Sequence, residues 1–146
     1  MGKIAHVLAK KGAQVYTINQ AETVFEAVKK MVELNTGCLL VTEGEEIRGI
    51  VTERDYLRGI ALAGRTSKET QVREIMTSRI VVVQPDTSVE EAMAIMTDRR
   101  IRHLPVVDNG KLAGLVSIGD LVKQISQDRK FEIQYLTDYI TGKYPG

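Results

Sequence analysis

The sequence contains one internal repeat, and this duplication limits the possible folds more than any other feature. When the chain is displaced by 65 residues, the segment Gly49–Asp55 (GIVTERD) lies over Gly114–Asp120 (GLVSIGD), and no gap is needed between Val15 and Ile60. Two copies are too few for a solenoid, which needs about three units to bury its core. The repeat therefore predicts a pseudo-two-fold pair of similar units that pack against each other.

Both copies have the same order of predicted elements. A short β-rich run precedes a hydroxyl residue that can cap a helix, and the helix has apolar residues at spacings of three, four and seven. Two strands joined by a turn and a second helix follow. The order β-α-β-β-α thus occurs twice, which is typical of the α/β (α+β) class. The predicted segments are Val15–Ile18, Val24–Leu34, Cys38–Thr42, Ile47–Val51 and Arg54–Ala63, then Ile80–Val83, Val89–Thr97, Leu104–Val107, Leu112–Val116 and Asp120–Ile125.

The remaining residues flank or join the two copies. Apolar residues near the start predict a short N-terminal helix, and an amphipathic pattern predicts another helix at the C-terminus. We assign repeat 1 to residues 12–63, a linker to 64–76, repeat 2 to 77–126 and the C-terminal helix to 127–146.

Charge and hydropathy restrict the partners that the protein can have. Lys and Arg number 20 against 19 Asp and Glu, and general nucleic-acid binders usually carry a larger basic excess. No apolar run reaches the roughly 18 residues that span a bilayer, and no secretory signal is visible. We expect no nucleic acid and no membrane among the partners. The expected location is the cytoplasm, or an organelle matrix if a targeting peptide was removed.

Catalytic arrangements are nearly absent from the sequence. Cys38 is the only cysteine and lies in an apolar run, which predicts a small core residue. His103 has no nucleophile motif beside it. The chain has neither a Walker-type phosphate loop nor a GxGxxG motif, and no cluster of carboxylates and histidines suggests a metal site. We therefore predict a protein that is not an enzyme and that requires no metal.

The chemistry is concentrated at a junction between strand and helix that occurs in both copies. Residues 52–55 and 117–120 both fit the pattern Ser/Thr-x-x-Asp/Glu. One interpretation is a capping box, although Asp is shorter than the usual Glu and reaches back less easily. The other is a nucleoside-phosphate site, because a helix N-terminus attracts phosphate and an acid can accept hydrogen bonds from ribose. The residues alone leave both interpretations open.

The repeat resembles the cystathionine-β-synthase (CBS) domain family, and the chain is similar to a stand-alone CBS pair, or Bateman module. The resemblance covers roughly residues 12–126 and rests on Gly49–Leu57, Glu74–Thr77, Arg102–Val106 and Gly114–Leu121. It implies two clefts that bind an adenine nucleotide: AMP first, with ATP, ADP or NAD(H) as alternatives. It also implies a homodimer that relays the energy or redox state to a regulated protein, whose identity the sequence does not give.

The resemblance also indicates which residues line the clefts. In the family, the hydroxyl and the acid of the repeated element hold phosphate and ribose. Backbone at the start of the middle strand holds the base, and a threonine before the first strand lines the cleft. The matching nucleotide-binding residues are Thr52, Arg54, Asp55, Gly37, Cys38, Leu39, Thr77, Ile80, Arg102, His103, Leu104, Pro105, Ser117 and Asp120.

The two copies differ at several of these positions. Gly12 stands where the second copy has Thr77, and Leu40 stands where it has Pro105. We therefore expect the second cleft to match the family better around the base. The first cleft has the more basic element, with Arg54 inside it. These differences predict two unequal sites.

Three functions remain open from the sequence. The first is a nucleotide-sensing regulatory module without catalysis. The second is a regulatory fragment associated with an enzyme similar to inosine-monophosphate dehydrogenase, although 146 residues cannot hold a catalytic barrel of about 250. The third is an interaction scaffold whose clefts bind no ligand.

Overall fold

A computed structural model describes residues 2–12 and 14–140, with residues 131–140 described by their backbone alone. The elements in chain order are α1 (Ile4–Lys11), β1 (Thr17–Asn19), α2 (Val24–Leu34), β2 (Cys38–Glu43), β3 (Glu46–Thr52), α3 (Glu53–Tyr56), α4 (Val89–Arg99), β4 (His103–Asp108), β5 (Lys111–Ser117) and α5 (Ile118–Ile140). The predicted α+β class is confirmed, and α2 with β2 and β3 lies at places corresponding to α4 with β4 and β5.

The chain divides into two compact units whose limits differ from those of the sequence repeats. The central unit is Val15–Ile80, and the terminal unit combines Met1–Gln14 with Val81–Gly146. The segment that precedes repeat 2 therefore folds with repeat 1, and the segment that precedes repeat 1 folds with repeat 2. Each unit thus holds one repeat together with the segment that leads into the other repeat.

The central unit contains a three-stranded sheet in the order β1-β2-β3. Strand β1 runs parallel to β2, and β3 returns antiparallel to it. Helix α2 begins after Thr23, whose hydroxyl accepts from the Glu26 amide at 3.1 Å, and ends at Asn35 in the left-handed conformation. Its apolar stripe packs into a core with the sheet, formed by Ile18, Ala27, Met31, Leu39, Val41, Val51 and Val72.

The terminal unit has a two-stranded sheet, β4-β5, and helices from both ends of the chain. Helix α4 is capped by Ser88 as α2 is by Thr23, with the Glu91 amide 3.1 Å from the hydroxyl. Helix α1 contributes Ile4 and Val7 to the core and Leu8 to its edge. The rest of this core consists of Val83, Val89, Ala92, Met96, Leu104, Val106, Val116 and Leu121.

The strand predicted at Ile80–Val83 is reduced to a single bridge between Val83 and Val106. In repeat 1, the Leu40 amide donates to the carbonyl of Tyr16 at 3.0 Å. Its counterpart in repeat 2 is Pro105, which has no N–H to donate. The loss of this ladder hydrogen bond explains why repeat 2 lacks the third strand.

The second helix of each copy also differs from its prediction. In repeat 1 the predicted helix consists of α3 and a π-helical turn over Leu57–Ala61, in which the Leu62 amide donates to the Leu57 carbonyl at 2.9 Å. In repeat 2 the predicted helix and the separate C-terminal helix form one element, α5. The predicted C-terminal helix extends to residue 146, and residues 141–146 lie outside the described part of the chain.

Two glycines at corresponding positions of the repeat allow close contact with the segments that precede the repeats. A Cβ on Gly49 of β3 would lie 2.5 Å from the backbone oxygen of Thr77, and one on Gly114 of β5 would lie 2.7 Å from Cδ2 of Leu8. The absence of a side chain therefore allows a close approach in both units. In the central unit the neighbour is backbone, whereas in the terminal unit it is a side chain of α1.

Candidate functional site

The repeated strand-to-helix element forms a complete capping box in the central unit. The Thr52 hydroxyl accepts from the Asp55 amide at 3.2 Å, and the Thr52 amide donates to Asp55 Oδ2 at 2.9 Å. The Asp55 residue is only 8% exposed. This box positions a buried carboxylate in the first turn of α3.

Thr77 joins this acid from the segment that leads into repeat 2. Its backbone exchanges two hydrogen bonds with Ile50 of β3, at 2.8 and 2.9 Å. The Thr77 hydroxyl then donates to Asp55 Oδ1 at 3.3 Å. We call Thr52, Asp55 and Thr77 the central corner. The repeat alignment assigns Thr77 to the second cleft; in the structure its backbone pairs with β3 and its hydroxyl contacts Asp55, both in the central unit.

A cavity of about 390 Å³ opens beside the central corner. Its lining combines the acid and the hydroxyl with basic and apolar groups: Asp55, Thr77, Arg58, Arg65, Glu74, Gly59, Ala63, Ile75 and Met76. Gly59 is required there because a Cβ would lie 2.7 Å from Cγ2 of Ile75. The cavity has the residue types that bind a polar anionic ligand with an apolar part.

An ion pair lies on the wall of this cavity, and the sequence analysis does not identify it. Arg65 Nη2 lies 2.5 Å from Glu74 Oε1. The Gln71 amide and then Arg65 hold the pKa of Glu74 below its ordinary value. No local pattern indicates this pair, since a loop and a 3-10 turn over Ser67–Glu69 separate Arg65 from Glu74, which ends a second turn over Val72–Glu74.

The terminal unit repeats the capping box at the start of α5. The Ser117 hydroxyl accepts from the Asp120 amide at 3.1 Å, and the Ser117 amide donates to Asp120 Oδ2 at 2.8 Å. Both aspartates therefore reach back to their cap amides. The shorter side chain of Asp thus makes the contact at 2.9 and 2.8 Å, so the length of the acid gives no support to a ligand site.

Lys11, at the end of α1, forms an ion pair with Asp120 in the terminal unit. Its ammonium lies 2.6 Å from Asp120 Oδ2 and donates to the Leu115 carbonyl at 2.9 Å. Partial burial raises the pKa of Asp120, but Lys11 and the Ser117 amide outweigh it and hold that pKa below its ordinary value. We call Ser117, Asp120 and Lys11 the terminal corner. Sequence reasoning missed Lys11, because nothing near it resembles a site motif.

The segments assigned to the base lie next to the corners in both units. The carbonyl of Gly37 accepts from the Glu53 amide at 3.1 Å, and the carbonyl of Arg102 accepts from the Ile118 amide at 2.8 Å. Cys38 pairs with Thr52 in the sheet register as His103 pairs with Ser117. The structure thus brings residues 37–39 to the central corner and residues 102–105 to the terminal corner.

The side chains of these segments differ in how far they can reach. Leu39, Leu104 and Pro105 are buried, as is Cys38, so a ligand would meet these segments through their backbone. His103 is half-buried, and burial followed by the charge of Lys11 lowers its pKa.

Two further residues from the predicted set have looser positions. Arg54 is exposed on α3 beside Asp55. Ile80 is half-buried at the end of the central unit, three residues beyond Thr77.

Comparisons with known proteins give one consistent family. The family model described as "CBS domain" matches residues 8–62 and 72–127. A relative from Arabidopsis thaliana, the CBS domain-containing protein CBSX3, mitochondrial, is 46% identical over 128 residues, which cover 84% of this chain and 62% of the relative. The match thus spans less than two thirds of that relative's length.

Solved structures give the same result. A protein with CBS domains from Burkholderia ambifaria MC40-6 is 49% identical, with a TM-score of 0.84 over 87% of this chain and 96% of that one. A hexameric CBS-CP12 protein from bloom-forming cyanobacteria is 33% identical, with a TM-score of 0.75 over 84% and 70% of the two chains.

The helices and the potential metal ligands of the described residues are relevant to membranes and metals. Within residues 2–12 and 14–140, no helix has the length and apolar character needed to cross a bilayer. In the same described residues, no three His, Cys, Asp or Glu side chains form a group that could hold a metal ion.

Proposed function

The chain belongs to the CBS-domain family, and from this premise we propose that it is a non-catalytic regulatory module that binds an adenine nucleotide at its two corners. CBS-domain pairs are regulatory, ligand-binding modules. The finer proposal is that AMP is the first ligand, with ATP, ADP or NAD(H) as alternatives, and that the ligand state is passed to a regulated protein. Under this proposal the protein relays the energy or redox state of the cell to the protein that it regulates.

The buried carboxylate of Asp55 beside an open cavity carries this proposal. Its contacts in the described structure come from the amide and hydroxyl of Thr52 and the hydroxyl of Thr77, at 2.9 to 3.3 Å. Arg58 and Arg65 line the cavity next to it. A ribose supplies hydroxyl donors for the carboxylate, and a phosphate supplies the anion that guanidinium groups prefer.

The capping boxes are compatible with a bound nucleotide. An ionised carboxylate has two oxygens and about four acceptor positions. In both corners the cap amide uses Oδ2 alone, for Asp55 and for Asp120. One carboxylate can therefore cap its helix and still accept a hydrogen bond from a ligand hydroxyl.

Calorimetric titration of the full chain with AMP, ATP and NADH tests the proposal. We expect two unequal sites, and we expect Asp55→Asn and Asp120→Asn each to weaken one of them by roughly tenfold or more, because a charged hydrogen bond contributes about 1.5–3 kcal/mol. Asparagine retains an oxygen for the cap, so the helices remain in place.

Glu91→Gln is the matched control. Glu91 also follows a hydroxyl N-cap by three residues, but on α4, and its substitution is expected to leave both affinities unchanged. Unchanged AMP affinity in both aspartate variants would remove the site assignment. A chain that binds none of the three nucleotides would instead be the interaction scaffold.

We also propose a homodimer formed through the central unit. Four apolar side chains on or next to α2 and α3 are exposed: Phe25, Val32, Leu57 and Leu62. Val32 and Leu62 are 75% and 86% exposed, and burial of such groups favours association. The cyanobacterial relative named above is described as hexameric, which supports assembly in the family.

Native mass spectrometry of the purified protein tests this assembly and reports retained ligand at the same time. We expect a dimer mass for the wild type and a monomer mass for Val32→Glu, because a charge in the interface would be buried without a partner. A monomeric wild type would contradict the dimer. For the compartment we propose the cytoplasm, with an organelle matrix as the alternative that the name of the Arabidopsis relative favours.

A further inference from the structure

The aspartates of the two corners contact different chemical groups outside their capping boxes. In the central corner, the Thr77 amide donates to the Ile50 carbonyl at 2.8 Å and the Thr77 hydroxyl donates to Asp55 at 3.3 Å. In the terminal corner, the Lys11 ammonium donates to the Leu115 carbonyl at 2.9 Å and to Asp120 at 2.6 Å. Ile50 and Leu115 occupy corresponding positions of the repeat. One ammonium thus replaces an amide and a hydroxyl.

This replacement changes the charge that a ligand meets. The Lys11 ammonium takes the same oxygen, Oδ2, that serves the cap of α5. A ligand that donates a hydroxyl to Asp120 therefore meets a full positive charge beside the carboxylate, whereas at Asp55 it meets the neutral hydroxyl of Thr77. The Lys11 side chain is 34% exposed and the Asp120 side chain 24% exposed, so the pair is accessible to a ligand.

We propose that Lys11 makes the terminal corner selective for ligands that carry an anionic group next to their hydroxyls. This inference rests on the proposed nucleotide binding and adds the rule by which one corner selects its ligand. A neutral nucleoside can donate a hydroxyl to Asp120 Oδ1, but it offers the ammonium no anion to pair with. A nucleotide brings a phosphate that pairs with the ammonium, which moves readily on its flexible stem.

The same reasoning separates the two corners in ligand preference. Thr77 carries no charge. It therefore does not make the binding of a ligand hydroxyl at Asp55 depend on an anionic group in the same ligand. Lys11 therefore supplies a share of the preference for AMP over adenosine at the terminal corner, whereas at the central corner the cationic groups are Arg58 and Arg65 of the cavity. Replacement of Lys11 by an uncharged side chain of similar length removes that share.

The experiment compares adenosine with AMP, by calorimetry, in the full chain carrying Asp55→Asn, so that the terminal corner dominates the signal. Lys11→Met in this background is expected to lower AMP affinity by about two- to fivefold, the range for loss of a partly exposed ion pair, and to leave adenosine affinity nearly unchanged, so that the preference for AMP falls. Lys10→Met is the matched control, because Lys10 lies on the same helix but donates to Gln127 on α5 at 3.0 Å.

The outcomes distinguish this inference from the proposed function. If AMP binds but Lys11→Met leaves AMP affinity unchanged, or lowers adenosine affinity by the same factor, the selectivity rule is wrong and nucleotide binding stands. If Lys10→Met produces the same decrease in AMP affinity, the effect belongs to the charge of α1 in general and the rule is again wrong. If neither ligand binds the wild type or any variant, the proposed function fails and the inference with it.

Discussion

The central and terminal corners have the same capping box but receive different leading segments. The central unit accepts an extended segment that pairs its backbone with β3 and adds a neutral hydroxyl, Thr77, to the acid. The terminal unit accepts a helix, α1, which packs a side chain on β5 and adds a charged amine, Lys11. The capping box is therefore the same in both units, and the segments that lead into the repeats give the two corners different third members.

The contrast between backbone and side-chain docking gives the largest expected effect. Gly49→Ala places a Cβ 2.5 Å from the Thr77 carbonyl, which cannot move without breaking the pair with Ile50. Gly114→Ala meets the flexible end of Leu8 at 2.7 Å, which can rotate away. We expect losses in the free energy of unfolding of about 2–3 kcal/mol for Gly49→Ala and about 1 kcal/mol for Gly114→Ala, measured by urea denaturation. Equal losses would contradict the difference in docking.

The missing third strand of the terminal unit gives an intermediate effect. Leu40→Pro copies Pro105 into the central sheet and removes the donor to the Tyr16 carbonyl. We expect a loss of about 1–2 kcal/mol, from one hydrogen bond and one buried carbon. Hydrogen exchange is expected to show faster exchange in β1 and little change in the β2–β3 pair. Unchanged exchange in β1 would mean that the proline does not account for the shorter sheet.

The smallest expected effect is a pH dependence that belongs to the terminal unit alone. Burial and the charge of Lys11 hold the pKa of His103 below 6.5, and the corresponding residue in the central unit is Cys38. As the pH falls below 6.5 the unfolded chain takes up this proton first. Stability is therefore full above that pH and decreases below it.

Urea denaturation between pH 7.5 and 5 checks this dependence. The variant His103→Asn is expected to show a shallower decrease than the wild type. Both proteins retain His6, so the difference between them reports His103 alone. Identical curves would show that the histidine ionises equally in the folded and unfolded chains.

Much of the fold follows from the sequence because its determinants are local or periodic. The apolar stripes that start at Val24 and Val89 predicted α2 and α4 at the correct places, and the hydroxyl residues before them cap both helices. A strand was predicted at Ile80–Val83 and its absence was not, although the proline that removes its hydrogen bond is visible in the sequence. The β-rich composition of that run concealed the loss of one donor in the neighbouring strand.

The sequence alone determined the duplication, the order of elements and the two capping boxes, whose members are three residues apart. Only the tertiary structure decided which segment supplies the further contact to each aspartate. Thr77 reaches Asp55 across 22 residues, and Lys11 reaches Asp120 across 109. Contacts over such distances depend on which segment packs against which strand. That choice depends on the shape of the whole unit, for which a local pattern of residues has no signal.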